Sequence, residues 1–181
     1  MSKKLIIVFE GIEGSGKSFH LNNIKKCLKK YKKEFISLRE PGGSANSEKI
    51  RKLILSNKSN FNMYTDLLLY LASRSENIDK IIKKNYKKKI ILIDRFIDST
   101  IAYQSYGMGI DRNFVQNINN KLLKNIKVDF TFLNIVNKKN LKKRLLKRKS
   151  LNRYDNFNIS FYEKVQKGFI KISKSNKNKY M

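Results

Sequence analysis

Eight consecutive residues near the start of the chain have the types and spacing of a loop that binds phosphate. Residues 11–18 read G-I-E-G-S-G-K-S, which matches the pattern G-x-x-x-x-G-K-[ST] at every position. Glycines let the backbone curl until successive N–H groups point at phosphate oxygens, and the lysine then contacts the β- and γ-phosphates of ATP. A phosphate loop of this type lies between a strand and a helix, and both are predicted here. A glycine-rich turn that matched the pattern by chance would not need these flanking elements. The predicted phosphate site consists of Gly11, Glu13, Gly14, Ser15, Gly16, Lys17 and Ser18.

Two further segments could hold a second anion close to that loop. Arg39 opens the sequence R-E-P-G-G directly after a predicted strand, and Asp94 and Arg95 end another. The carboxyl ends of parallel strands meet at one edge of a sheet, where ligands collect. Two arginines that converge there can clamp an anionic substrate beside the γ-phosphate. Either arginine alone would more often form a surface salt bridge. The predicted anion site therefore depends on both arginines lying at the same edge of the sheet.

Helical spacing brings further polar and aromatic side chains together. Three pairs lie four residues apart, and therefore on one helix face: Tyr70 with Arg74, Ser99 with Tyr103, and Thr100 with Gln104. An aromatic ring can stack on a base while an arginine contacts its edge or a phosphate. Hydroxyls and an amide are suitable contacts for the edge of a pyrimidine. By spacing alone, each pair would more often serve packing or capping.

Short apolar runs alternate with longer segments of helical periodicity along the chain. Strands are predicted at residues 4–10, 34–38, 89–94 and 128–136. Helices are predicted at about residues 17–31, 63–86, 98–106, 112–125, 138–149 and 159–173. Continuously apolar strands that alternate with helices indicate a parallel sheet covered on both faces. We therefore predict a single α/β domain over residues 1–173 and a basic tail, 174–181, that frays.

Composition narrows the class of protein. The chain has 181 residues, of which 40% are hydrophobic, as expected for one globular domain. No apolar run approaches the about 18–20 residues that span a bilayer. The single cysteine, Cys27, excludes an internal disulfide and a cysteine-based metal cluster. We expect a cytoplasmic location and no membrane partner.

The formal net charge of +27 is large for this length. A strongly basic chain often binds nucleic acid or another polyanion. Here the lysines are spread along the whole chain and accompany abundant Asn and Ile, and all three residues have AT-rich codons. Biased coding can therefore produce the charge, and any nucleic-acid binding that follows from charge alone carries no sequence information. We predict no specific nucleic-acid partner.

Taken together, the motifs resemble those of bacterial thymidylate kinases. The patterns G-x-E-G-x-G-K-[ST], R-E-P-G-G, an L-x-x-R helix segment and D-R-[FY]-x-D-S-x-x-A-Y-Q occur in the order and spacing of that family. The similarity runs from about residue 5 to residue 172. It implies a three-layer P-loop NTPase sandwich with strand order 2-3-1-4. It also implies transfer of a phosphoryl group from ATP to dTMP, Mg²⁺ as cofactor, and a homodimer formed through helices near the acceptor site.

The resemblance assigns roles to residues of the acceptor site. Arg39 and Arg95 would hold the phosphate of dTMP, and Glu13 would approach the sugar 3′-hydroxyl. Tyr70, where most relatives have Phe, would stack on thymine, and Arg74 would read its edge. The remaining residues that would line the base and sugar pocket are Ser99, Thr100, Tyr103 and Gln104.

The same resemblance implies a catalytic set around the phosphate loop. Lys17 and the loop amides would hold ATP, while Asp94 would organise Mg²⁺ together with the Ser18 hydroxyl. Arg95 would act on the acceptor phosphate during transfer. These groups would accelerate an in-line displacement by positioning and charge neutralisation, without a covalent enzyme intermediate.

A basic segment at residues 143–155 resembles the lid of the family. Arg144 and Arg148 lie four residues apart, and Arg153 follows in a predicted loop. An arginine delivered by a closing lid stabilises charge on the transferred phosphoryl group and excludes water. Arg148 and Arg153 are the predicted catalytic arginines of this segment, and a solvated basic helix is the alternative. Asn152 stands where the family usually has Asp, which removes a carboxylate that would hold a neighbouring arginine.

The carboxyl end departs from the family pattern. Relatives continue into a fifth strand and a last helix, and the loop before that helix contacts adenine. No apolar run follows Ile172, so we expect the fifth strand to be missing, either because the protein is short or because the sequence is truncated. Three alternatives stay open: a kinase of another nucleoside monophosphate, a basic P-loop ATPase or nucleic-acid-binding module, and a non-catalytic nucleotide-binding protein.

Overall fold

Four parallel strands form one sheet in the order β2-β3-β1-β4. The structure is a computed structural model and describes residues 4–147 and 153–181. The strands are β1 (Ile6–Glu10), β2 (Phe35–Arg39), β3 (Ile90–Asp94) and β4 (Phe130–Leu133). β1 lies between β3 and β4, and β2 pairs with the outer side of β3. The predicted fold class and strand order are confirmed.

Eight α-helices are present within the described ranges. They are α1 (Lys17–Lys30), α2 (Ala45–Leu55), α3 (Met63–Asn77), α4 (Lys83–Asn85), α5 (Ile97–Thr100), α6 (Arg112–Leu123), α7 (Lys138–Leu146) and α8 (Ile159–Ser175). π-Helical turns at Ile78–Ile82 and Ile101–Gly107 follow α3 and α5. Short 3₁₀-helices lie at Arg153–Asn156 and Lys177–Lys179.

Both faces of the sheet are covered, which is why its central strands are apolar at nearly every position. Ile91 and Ile93 of β3 face the π-helical turn after α3, where Ile82 is fully buried with them. Leu92 points to the opposite face and packs with Leu21 of α1. This alternation follows from the two-residue repeat of a strand. None of the described helices has the length and apolarity to cross a membrane.

A larger apolar cluster lies beside the sheet and joins α3, α8 and the second π-helical turn. Leu67 and Leu71 of α3 pack there with Tyr162 and Phe169 of α8, and Tyr103 of the second π-helical turn joins them. All five side chains are buried. One apolar cluster therefore fixes α3, α8 and the π-helical turn relative to one another.

The helix α2 is absent from the prediction. Ser44 caps it by accepting a hydrogen bond from the Ser47 backbone N–H, and Ile54 anchors it in the apolar cluster with an exposed fraction of 0%. Polar residues at its start gave this segment the composition of a loop. Its helical signal is confined to a few apolar side chains such as Ile50 and Ile54, which lie four residues apart.

The tail differs from the expectation that it frays. The Met181 N–H donates to the Thr131 carbonyl oxygen at 3.0 Å, and the Leu133 N–H donates to the Met181 carbonyl oxygen at 3.1 Å. Tyr180 forms a parallel bridge with Thr131, and its hydroxyl donates to Asp98. These contacts extend the sheet beyond β4. They use backbone groups and one tyrosine, so no apolar run marks them in the sequence.

Candidate active site

The carboxyl ends of β1, β2 and β3 open into one crevice of about 320 Å³. It lies at the edge of the sheet where ligands of open α/β folds bind. Thirteen residues predicted to act in the site line it: Glu13, Gly14, Lys17, Ser18, Arg39, Tyr70, Arg74, Asp94, Arg95, Ser99, Thr100, Tyr103 and Gln104. The three predicted arginines therefore face the same space as the lysine of the phosphate loop.

The phosphate loop closes around its own lysine. Lys17 Nζ donates to the carbonyl oxygens of Gly11 at 2.9 Å and Ile12 at 3.0 Å. Burial and the charge of Arg95 lower the pKa of Lys17 to about 8, because the ammonium is charged, desolvated and close to another cation. Gly11 is required here, since a Cβ would lie 2.3 Å from the carbonyl oxygen of Asn134. An incoming phosphate would give the ammonium an anionic partner.

Arg95 turns back from β3 toward the phosphate loop. Its φ angle is +66°, an uncommon conformation for a residue with a side chain, which costs about 1–3 kcal/mol. Nη1 donates to the Gly11 carbonyl oxygen at 2.9 Å, and Nη2 donates to Glu13 Oε1 at 2.8 Å. The strained backbone thus places a guanidinium against the phosphate loop, inside the crevice.

Glu13 is held as an anion by its surroundings. Burial alone would raise its pKa, but the charges of Arg95 and Lys17 lower it overall. The Tyr103 hydroxyl donates to the second carboxylate oxygen of Glu13. Both oxygens therefore have a donor, and the carboxylate fixes Arg95 and Tyr103 relative to the loop.

The β2 end of the crevice carries two arginines, of which the sequence indicated only one. Arg39 is half exposed and pairs with Glu48 of α2 at 3.5 Å. Arg51 also lines the crevice and donates from Nη1 to the Pro41 carbonyl oxygen at 2.6 Å. Arg51 was missed because α2 itself was missed, so nothing in the predicted elements placed it near a strand end.

Arg74 is held firmly beneath the crevice. Its side chain is 1% exposed, and Nε donates to Glu40 Oε2 at 2.8 Å. Nη1 donates to Asn119 Oδ1 at 2.6 Å, and Nη2 donates to the Phe96 carbonyl oxygen at 2.9 Å. Burial raises the pKa of Glu40 although Arg74 opposes that shift. These bonds use three of the five N–H groups of Arg74.

The far wall of the crevice presents two buried polar atoms that the described part of the chain leaves without hydrogen bonds. Thr100 Oγ1 and Gln104 Nε2 are buried, and neither has a hydrogen-bond partner among the described residues. Buried polar groups are normally satisfied, so a ligand with a donor and an acceptor along one edge fits this wall. Tyr70 adds an aromatic face to the same space.

Two oxygen donors suit a magnesium ion at the phosphate end. Asp94 Oδ1 is buried and has no hydrogen-bond partner within the described ranges, and the Ser18 side chain lines the same crevice. Carboxylate and hydroxyl oxygens, with phosphate oxygens and waters, are the ligands that Mg²⁺ prefers. The residues present therefore fit the ion that the motif implies.

The basic segment contributes differently from the prediction. Arg148 lies outside the described residues. Arg153 pairs with Asp66 of α3 and is not among the residues that line the crevice. Arg144, which was not chosen from the sequence, donates from Nη1 to the Gly14 carbonyl oxygen at 2.5 Å. Residues 134–137 connect β4 to α7, and the packing of α7 places Arg144 over the loop, which residue spacing alone does not predict.

A parallel sheet, a strand–loop–helix phosphate site and an adjoining polar crevice define a P-loop nucleotide kinase. The sequence model of the family described as "Thymidylate kinase" matches residues 9–181. The chain is 40% identical over 171 residues to the thymidylate kinase of Thermosipho africanus, covering 94% of this chain and 85% of that protein. It is 39% identical over 173 residues to the thymidylate kinase of Acholeplasma laidlawii, covering 93% of this chain and 85% of that protein.

A solved structure agrees with these matches. The crystal structure of thymidylate kinase from Ehrlichia chaffeensis superposes with a TM-score of 0.81 at 33% identity, over 99% of this chain and 92% of that one. The chain belongs to the thymidylate kinase family.

Proposed function

We propose that this protein transfers the γ-phosphoryl group of ATP to dTMP, giving ADP and dTDP. One observation carries the proposal: the phosphate loop and the polar wall formed by Thr100 and Gln104 line the same crevice. Such a crevice can hold a donor and an acceptor with their phosphates adjacent. The family membership supports dTMP as the acceptor and gives no support to the alternative functions.

The donor side of the proposal rests on the phosphate loop. Backbone N–H groups of the loop and the N-terminal end of α1 would bind the ATP phosphates, since both present partial positive charge. Lys17 would move from the loop carbonyls that it now contacts to the β- and γ-phosphates. Asp94 and Ser18 would hold Mg²⁺, which supplies charge neutralisation to the phosphates when bound.

The acceptor side rests on residues from all three strand ends. Arg39 and Arg95 would bind the dTMP phosphate, and Arg51 lies close enough to join them because it lines the same crevice. Tyr70 would stack on thymine. Arg74, with three N–H groups already bonded, could offer the others to the base edge. Residues proposed to line the base and sugar are Glu13, Ser99, Thr100, Tyr103 and Gln104.

The transfer itself would depend on positioning and charge. Arg95 stands between Glu13 and Gly11, where it can bind an acceptor phosphate next to the γ-phosphate of ATP. Arg144 already lies over the loop at Gly14. Cations placed on both sides of a transferring phosphoryl group stabilise the charge that develops on its equatorial oxygens. Arg148 remains a predicted member of this set, and Arg153 would have to leave Asp66 to join it.

We also propose that the protein forms a homodimer. Tyr64 and Leu68 of α3 and Phe114 of α6 are large apolar side chains with exposed fractions of 50%, 56% and 42%. The Tyr64 and Phe114 rings meet edge to face at a centroid distance of 6.4 Å, so these residues form one patch on α3 and α6, and α3 also carries Tyr70 and Arg74. Apolar patches of this kind mark interaction surfaces. A cytoplasmic location completes the proposal, because ATP and nucleoside monophosphates are cytoplasmic metabolites.

A coupled assay of ADP release tests the proposed reaction. Purified protein with ATP and Mg²⁺ is supplied in parallel with dTMP, dUMP, dCMP, GMP or AMP. We expect the highest kcat/KM with dTMP. Turnover that responds to DNA or RNA and ignores every monophosphate would favour a nucleic-acid-dependent ATPase, and nucleotide binding without turnover would favour a non-catalytic protein.

A further inference from the structure

Asp66 is a buried carboxylate whose partners come from the basic segment. It lies in the first turn of α3, is 2% exposed and does not line the crevice. Arg153 donates to Oδ1, and the Tyr154 hydroxyl donates to Oδ2. Two consecutive residues that follow the basic helix are therefore fixed to α3 through one side chain.

Tyr154 carries this attachment into the acceptor pocket. Its ring meets those of Tyr70 and Tyr103 edge to face, at centroid distances of 6.0 Å and 6.2 Å. It lines the crevice together with both of them. The Tyr162 hydroxyl donates to the Tyr154 carbonyl oxygen at 2.6 Å, so the backbone of Tyr154 is also tied to α8.

Tyr70 packs against a Tyr154 ring that is fixed both at its hydroxyl and at its backbone. Because two rings in contact restrict each other, the position of Tyr154 limits the orientation of the Tyr70 ring.

The charges within this cluster are matched. Burial raises the pKa of Tyr154 well above its usual value, and Asp66 raises it further, so the hydroxyl stays neutral and remains a donor. Burial alone would lower the pKa of Arg153, but its hydrogen bond and charge interaction with Asp66 raise it overall. A carboxylate so deeply buried needs both partners, so displacement of either would disturb the other.

We propose that Asp66 is a positioning residue that sets the orientation of the Tyr70 ring through Tyr154. Arg153 and Tyr154 of the basic segment and the ring proposed to stack on thymine would then be held as one unit. The inference rests on the proposed dTMP site. It predicts that loss of the Asp66 charge weakens dTMP binding and leaves ATP binding intact, because the cluster touches only the acceptor half of the crevice.

Steady-state kinetics of Asp66→Asn test this. We expect the KM for dTMP to rise about tenfold or more, as for the loss of a hydrogen bond to a charged group, while the KM for ATP changes by less than about twofold. Asp79→Asn, at a solvent-exposed ion pair after α3, is the matched control and should leave both KM values unchanged. The proposal would be overturned if Asp66→Asn changed the KM for dTMP and the KM for ATP equally, or changed neither.

Tyr154→Phe is a second test of the proposal. It keeps the ring and removes the hydroxyl that donates to Asp66. We expect it to raise the KM for dTMP as Asp66→Asn does. Combined in one protein, the two changes should raise the KM little beyond either alone, because both break the same chain of bonds. Multiplicative effects would contradict the link. Absence of dTMP turnover in the unchanged protein would instead contradict the proposed function.

Discussion

Arg95, at the end of β3, donates a 2.8 Å hydrogen bond to Glu13 inside the phosphate loop. The contact joins the residue proposed to hold the acceptor phosphate to the loop proposed to hold the donor phosphates. Burial would lower the pKa of Arg95, but Glu13 and neighbouring anionic groups raise it overall. The guanidinium is therefore a permanent cation at the boundary between the two halves of the crevice.

Arg95→Ala should abolish most of the transfer activity. The substitution removes a preorganised cation from the reacting phosphates, a loss that typically lowers the rate by about 10²–10³-fold or more. The measurement is kcat/KM for dTMP in the coupled ADP-release assay. Lys80→Ala removes an equally charged but exposed side chain and serves as the control. Turnover of Arg95→Ala close to that of the control would show that Arg95 does not contact the acceptor phosphate.

Arg74→Ala should destabilise the fold as well as the site. Arg74 and Glu40 form an ion pair at 2.8 Å with exposed fractions of 1% and 3%. Removal of one partner leaves a buried carboxylate without its counter-ion, which costs about 3–5 kcal/mol. Urea unfolding at neutral pH measures the loss.

The exposed pair of Asp79 and Lys83 provides the comparison for that experiment. Asp79→Ala should leave the urea midpoint unchanged within error, because water solvates both charges. An Arg74→Ala midpoint equal to that of Asp79→Ala would mean that Arg74 is free to leave Glu40 and serve the ligand alone.

Glu10 should make the stability of the fold depend on pH. Burial and the neighbouring Asp98 raise the pKa of Glu10 from 4.5 to about 7. The folded state then binds more protons than the unfolded state between these two values, so the free energy of unfolding falls as pH rises through this window. The shift corresponds to roughly 3 kcal/mol when the window has been crossed.

Glu10→Gln keeps the shape of the side chain and removes this titration. Glu10 accepts hydrogen bonds from the Phe96 and Ser99 backbone N–H groups through one oxygen, which an amide oxygen can also do. Urea unfolding of both proteins between about pH 5 and about pH 8 should show the variant gaining stability relative to the unchanged protein as pH rises. A difference that stays constant across that range would contradict the raised pKa.

The sequence was sufficient to predict the position of those site residues and strands that local patterns determine. Lys17 and Arg95 line one crevice, and the sequence indicated this position because one belongs to a motif with fixed spacing and the other follows directly from a buried strand. The strand order also followed from the family resemblance. Apolar runs bounded by charged residues marked all four strands to within a few residues.

Contacts between distant segments were not predictable in the same way. Arg51 reaches the crevice on a helix whose periodicity is faint, and Arg153 binds Asp66, which lies 87 positions away in the chain. Tyr180 pairs with β4 through its backbone, which leaves no compositional trace. In each case the decisive interaction is set by tertiary packing, which a reading of local periodicity does not include.

Binding of a bisubstrate analogue tests the shared crevice most directly. An adenosine and a thymidine joined through five phosphates can reach the phosphate loop and the Tyr70 pocket at once, so the second contact becomes intramolecular. Calorimetric titration should give one analogue per chain, with an affinity about 10²-fold or more above that of ATP or dTMP, and Arg95→Ala should remove most of the gain. An affinity no greater than that of ATP alone would show that the two nucleotides do not share this crevice.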